Sequence, residues 1–86
     1  MEKTIKATVN SKELSFNVTT EEYNQYINEM QMDNKIAPAK NFLVRTVDKD
    51  SKKELSELLK LPGLEIQLAS KVINDFLPDI TIEMGK

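Results

Sequence analysis

Two short segments near the N-terminus alternate strictly between apolar and polar residues. In "TIKATV" (Thr4 to Val9) the apolar side carries Ile5, Ala7 and Val9, and in "LSFNV" (Leu14 to Val18) it carries Leu14, Phe16 and Val18. Side chains on a strand alternate between its two faces, so each segment has one apolar face to bury. The connection "NSKE" contains the turn formers Asn10 and Ser11. The pair therefore reads as a β-hairpin. A hairpin alone is not stable in water, so the rest of the chain must cover its apolar face.

Beyond the hairpin the periodicity becomes helical. In "VTTEEYNQYINEM", Thr19 and Glu22 have the spacing of a capping box, and Tyr23, Tyr26, Ile27 and Met30 share one face. This predicts a helix from about Thr20 to Gln31. "PAKNFLVRTV" opens with Pro38, which a first helical turn tolerates, and turns Ala39, Phe42, Leu43, Thr46 and Val47 inward. Ser51 and Glu54 suggest a second capping box before a short helix bearing Leu55, Leu58 and Leu59. Pro62 and Gly63 then break the chain. The last helix, about Leu64 to Leu77, carries apolar residues over half its circumference, which implies contact on two sides. Pro78 ends it. "DITIEM" alternates again through Ile80, Ile82 and Met84, which predicts a short third strand at 79–84 paired with the hairpin.

The expected fold is α+β: a small antiparallel sheet from both chain ends, with about four helices packed on it. At 86 residues a single domain is expected, with a hairpin over 1–18, a helical region over 20–77 and the short strand last.

Composition narrows the chemistry. With neither Cys nor His, thiolate chemistry, the usual zinc sites and His-based triads are excluded. The net charge of −2 argues against nucleic acid, since Lys49, Lys52 and Lys53 are interleaved with Asp48, Asp50 and Glu54. "DKDSKKE" lacks the glycine and ligand spacing of a calcium loop. Glu21–Glu22, Asp48–Asp50 and Glu54–Glu57 fit the acids that helix starts favour. No apolar run is long enough for a membrane helix, and "MEKTIKATVN" does not resemble a signal peptide. No catalytic, metal or cofactor site is expected, and the chain reads as a non-enzyme.

Two features remain as binding candidates. Tyr26, Met30, Met32 and Ile36 lie where one helix ends and the next begins, where core packing covers residues least. Methionine-rich surfaces adapt to partners. The second is Arg45, the lone arginine among twelve basic residues. It can pair with Asp48 or the carbonyls ending its helix, its stem lying on Phe42. Its planar, multi-donor fork also suits a clamp onto a neighbouring loop, or a partner contact.

"NFLVRTV", followed by "KKELSELLKLPGLEIQLASKVINDFLPDITI", resembles a family of small phage tail assembly chaperones. The likeness spans roughly Pro38 to Ile82. Its motif positions are Asn41, Phe42, Leu43, Arg45, Thr46, Val47, Pro62 and Gly63. The resemblance implies a non-enzymatic protein of the infected bacterial cytoplasm, absent from the mature virion. It implies the tape measure protein as partner, held assembly-competent during tail morphogenesis; the tail tube protein and a second copy of the chain are further candidates. A rival reading is a small prophage regulatory or host-interaction protein that acts by protein–protein binding.

Overall fold

The computed structural model describes residues 1–85. The first layer is a two-stranded antiparallel sheet, β1 (Glu2–Val9) and β2 (Lys12–Thr19). Ile5 lies opposite Phe16 and Ala7 opposite Leu14, so the alternation read from the sequence falls on one face. The turn is tighter than the four-residue link expected. Val9 pairs with Lys12, leaving Asn10 and Ser11 alone at the tip, with φ of 49° and 68°. Two successive positive φ values match the right-handed twist of the strands.

Four helices form the second layer: α1 (Thr20–Glu29), α2 (Ile36–Thr46), α3 (Lys52–Leu58) and α4 (Leu64–Phe76). A 3-10 turn, Lys49–Ser51, precedes α3. Helices α2 and α4 pack on each other and on the sheet, α2 under β2 and α4 under β1, while α1 flanks α2 and β2. One core joins Leu14, Phe16 and Val18 of the hairpin to Phe42 and Leu43 of α2 and Val72 of α4, all fully buried.

The helix starts follow local chemistry. Thr19 Oγ1 accepts the Glu22 amide at 3.2 Å, one half of the expected capping box. The Glu22 carboxylate does not complete the box, because it is engaged by Arg45. The second expected box, Ser51 with Glu54, is absent: the Ser51 side chain makes no cap bond to α3. Its Oγ accepts the backbone N–H of Ser15 at 3.1 Å instead. A strand-edge amide with no ladder partner takes the hydroxyl that an exposed helix start can replace with water. Gly63 stands before α4 with φ of 81°, a left-handed conformation that glycine adopts without a Cβ penalty.

The third strand does not form. Ile80, Ile82 and Met84 belong to no strand, form no bridge and are exposed. The outer edge of β2 is already occupied: Val47 bridges to Phe16, and the Asp48 amide donates to Ser15 O at 2.8 Å. The edge of β1 has no partner among the described residues, but α4 delivers the tail to the wrong end of it for the antiparallel strand expected. At one end of α4, Lys3 Nζ donates to Asp75 O at 2.7 Å; at the other, Leu64 and Leu68 lie beside Ala7 and Val9. The helix thus runs opposite to β1. Leu77 leaves helical geometry with a bend, and Pro78 holds it in the extended region.

Candidate functional site

The corner between α1 and α2 divides the four residues singled out in the sequence. Helix α1 ends at Glu29, and Met30 is extended. Gln31 and Asn34 then exchange backbone hydrogen bonds of 3.2 and 3.3 Å, which pins a tight turn with Met32 and Asp33 at its tip. Met32 is 97% exposed, and Met30 and Ile36 are exposed beside it. Tyr26 belongs to the core instead, at 5% exposure, with its ring 5.1 Å from that of Phe42. It lies on the same side of α1 as Tyr23, which packs 6.2 Å from Phe76. Removal from water raises the Tyr26 phenol pKa above its ordinary value. Ile27, one residue on, takes the exposed position expected of Tyr26. The corner surface is therefore Ile27, Met30, Met32 and Ile36.

Arg45, in the last turn of α2, fastens that helix to α1. Its Nε donates to Glu22 Oε2 at 2.8 Å, and a terminal nitrogen lies 3.6 Å from Glu29 Oε1. Gln25 Nε2 donates to the other Glu29 oxygen at 3.0 Å. Glu29 Oε1 is buried and has no hydrogen-bond partner, so the guanidinium is its nearest compensation. The clamp expected from the multi-donor fork exists, but it joins two helices and does not reach a loop. Asp48 is not its partner. The Asp48 carboxylate accepts from Asn17 Nδ2 at 3.3 Å and from the Asp50 amide at 3.2 Å.

The other motif positions are largely structural. Phe42 and Leu43 are fully buried; Thr46 is buried, and its hydroxyl donates to Phe42 O at 2.8 Å. Val47 ends α2 and bridges to Phe16. Pro62 and Gly63 make the exposed turn between α3 and α4. Asn41 is exposed on α2.

A second surface is not foreseen by the sequence reasoning. Helix α3 packs on β2 and the 3-10 turn more than on α2. This leaves a cleft of about 350 Å³ between α2 and α3. Val44, Val47, Leu55 and Leu59 line it, with Lys40 and Lys52 also on its wall. Val44 is the available signal: an apolar residue on α2 outside the inward stripe, exposed in the fold. Its meaning depends on where α3 lies, and no periodicity encodes that.

Among the described residues no three His, Cys, Asp or Glu side chains gather closely enough to hold a metal ion, and no helix is long and apolar enough to cross a membrane. A family profile described as "Phage tail assembly chaperone" matches residues 5–86. The chain belongs to the phage tail assembly chaperone family. The match includes the hairpin and the C-terminal tail as well as the helical region that carried the resemblance. Among curated proteins, this family member is similar to an uncharacterized 11.3 kDa protein in the lys 3′ region of Haemophilus phage HP1 (strain HP1c1), at 38% identity over 60 residues. That alignment covers 70% of this chain, which spans 59% of the relative's length. No solved structure matches the chain.

Proposed function

We propose that the protein acts by binding, without catalysis, and that its partner is the phage tape measure protein, held assembly-competent in the host cytoplasm until tail tube subunits displace the chaperone. Membership of the tail assembly chaperone family supports the class of this role. The observation that carries the mode of binding is the α2–α3 cleft, an open apolar trough with a lysine at each of two positions along it. Its chemistry suits an amphipathic helix with an apolar stripe and acidic flanks, the helix-in-groove mode of recognition. Lys40 and Lys52 would meet those acids, speeding encounter and fixing orientation more than adding affinity.

A shallow trough suits a holdase better than a deep pocket does. Each site contributes weakly, many copies along a long helical chain keep it soluble, and an incoming tube subunit needs to displace only one copy at a time. The exposed Ile27, Met30, Met32 and Ile36 add an adaptable surface at the other end of α2.

The test is co-expression with the tape measure protein encoded by the same phage. The expected result is a larger soluble fraction of the tape measure protein and its recovery in a pull-down. Equal insolubility with and without the chain, and no complex, would contradict the proposal.

A further inference from the structure

The sheet has one free edge and the chain has one free strand-like segment. Along β2, the middle of the outer edge, at Ser15 and Phe16, is occupied by Val47, Asp48 and Ser51. Along β1, the outer edge has no partner among the described residues. Unpaired edges are templates for a further strand. The tail from Asp79 to Met84 has the matching pattern: Ile80, Ile82 and Met84 on one side, Asp79, Thr81 and Glu83 on the other. Its three apolar residues are 72%, 76% and 88% exposed, so their side chains contribute almost nothing to the core of their own copy.

The two surfaces complement each other in shape and charge. Beside the β1 edge, Ala7, Val9, Leu64 and Leu68 line a shallow apolar hollow between the strand and α4. A strand laid along β1 with Ile80, Ile82 and Met84 inward would extend the apolar face over that hollow. Asp79 and Glu83 would then lie on the outer face of the sheet, which carries Lys6 of β1. Lys6 forms no ion pair among the described residues. A lysine on an exposed edge discourages pairing with basic or neutral strands while admitting an acidic one.

We infer that the tail of one copy adds as a third strand to the β1 edge of a second copy. The body of the chain does not supply this strand to itself: residues 79–84 form no bridge to β1, and their apolar side chains stay exposed. The occupant is therefore a second copy's tail. This contact lies on the β1 side of the sheet, whereas α3 and its cleft lie on the β2 side, so it is independent of tape measure binding.

The chain has no cysteine, so introduced thiols report the contact cleanly. One full-length variant carries Thr4→Cys or Thr8→Cys, at either end of the edge; the other carries Thr81→Cys. Mixed at high concentration with a short thiol cross-linker, they should give a mixed dimer. Whichever edge position captures Thr81→Cys gives the strand direction. Adding Ile82→Pro to the tail variant should abolish the dimer while leaving the circular dichroism unchanged, because residue 82 is exposed and unpaired. Lys6→Glu should also reduce capture, and Glu83→Lys in the other copy should restore it. No mixed dimer at either position, a yield insensitive to Ile82→Pro, or an intramolecular cross-link in the Thr8→Cys/Thr81→Cys double variant would overturn the inference.

Discussion

Arg45 Nε donates to Glu22 Oε2 at 2.8 Å, fastening α2 to the first turn of α1, while the same guanidinium lies 3.6 Å from Glu29 near the far end of that helix. One planar fork thus spans two carboxylates two helical turns apart. A lysine ammonium is a single point and holds one of them at best. The Arg45 side chain is 26% exposed, so screening reduces the interaction without abolishing it. Arg45→Lys should cost about 1 kcal/mol in a urea titration, between an exposed ion pair and a fully buried charge-assisted hydrogen bond. Arg45→Ala should cost more, because it leaves the buried oxygen of Glu29 without compensation. Unchanged midpoints for both variants would reduce the contact to a surface ion pair.

Phe42 is, with Phe16, one of the two largest fully buried side chains among the described residues. Its ring lies 5.1 Å from that of Tyr26. Phe42→Ala should cost about 3–5 kcal/mol, most of the stability of a domain this small. The variant should show a collapsed or absent thermal transition, and a cooperative melt close to wild type would contradict the central placing of this side chain.

Much of this arrangement is legible in the sequence, and the pattern of success has a physical cause. Leu14, Phe16, Phe42, Leu43 and Val72 follow strand or helix period, and all are fully buried. Periodicity reports which face of an element is apolar, and here it reports well. It says nothing about which other element arrives. Arg45 is recognisable as a clamp from its uniqueness, yet its partners Glu22 and Glu29 lie on a helix whose placement is tertiary. Ser51 has cap spacing but serves the edge of β2. Tyr26 and Ile27 both lie on the apolar side of α1, and which part of that side meets α2 is a tertiary matter that buries Tyr26 and leaves Ile27 exposed. Ile80, Ile82 and Met84 alternate as a strand does, but pairing needs an accessible edge, and the direction of α4 withholds it.

Ser51 gives the third test. Its hydroxyl is the partner of the Ser15 amide in a part-buried position. Ser51→Ala should cost about 1–2 kcal/mol, the lower part of the range for leaving a buried donor unsatisfied, because the site is part-buried. Hydrogen exchange at Ser15 should accelerate selectively. Uniform protection across β2 in the variant would show that the bond contributes little.

The alkaline limb of stability tests the burial of Tyr26. Its pKa is raised by desolvation, so above the ordinary tyrosine value the folded state retains a proton that the unfolded state has lost. Stability from this group is complete below about pH 10 and falls as pH rises from there through the raised folded-state pKa. Tyr26→Phe cannot ionise and should lose less stability than wild type in this range. Identical slopes for the two proteins, measured by denaturant titration at a series of alkaline pH values, would place the hydroxyl in water.

Val44 gives the most direct test of binding in the cleft. It lines the α2–α3 trough and is exposed, so Val44→Glu should leave the melting curve near that of wild type. It also sets an anionic side chain in the trough between Lys40 and Lys52, where an acidic amphipathic helix is proposed to sit. The decisive measurement is calorimetric titration of both proteins with a soluble helical segment of the tape measure protein. Wild type should bind measurably, and Val44→Glu should lose at least about tenfold in affinity, corresponding to about 1.4 kcal/mol. Equal affinity for the two proteins would contradict the cleft as the site, and no binding by wild type would contradict the partner itself.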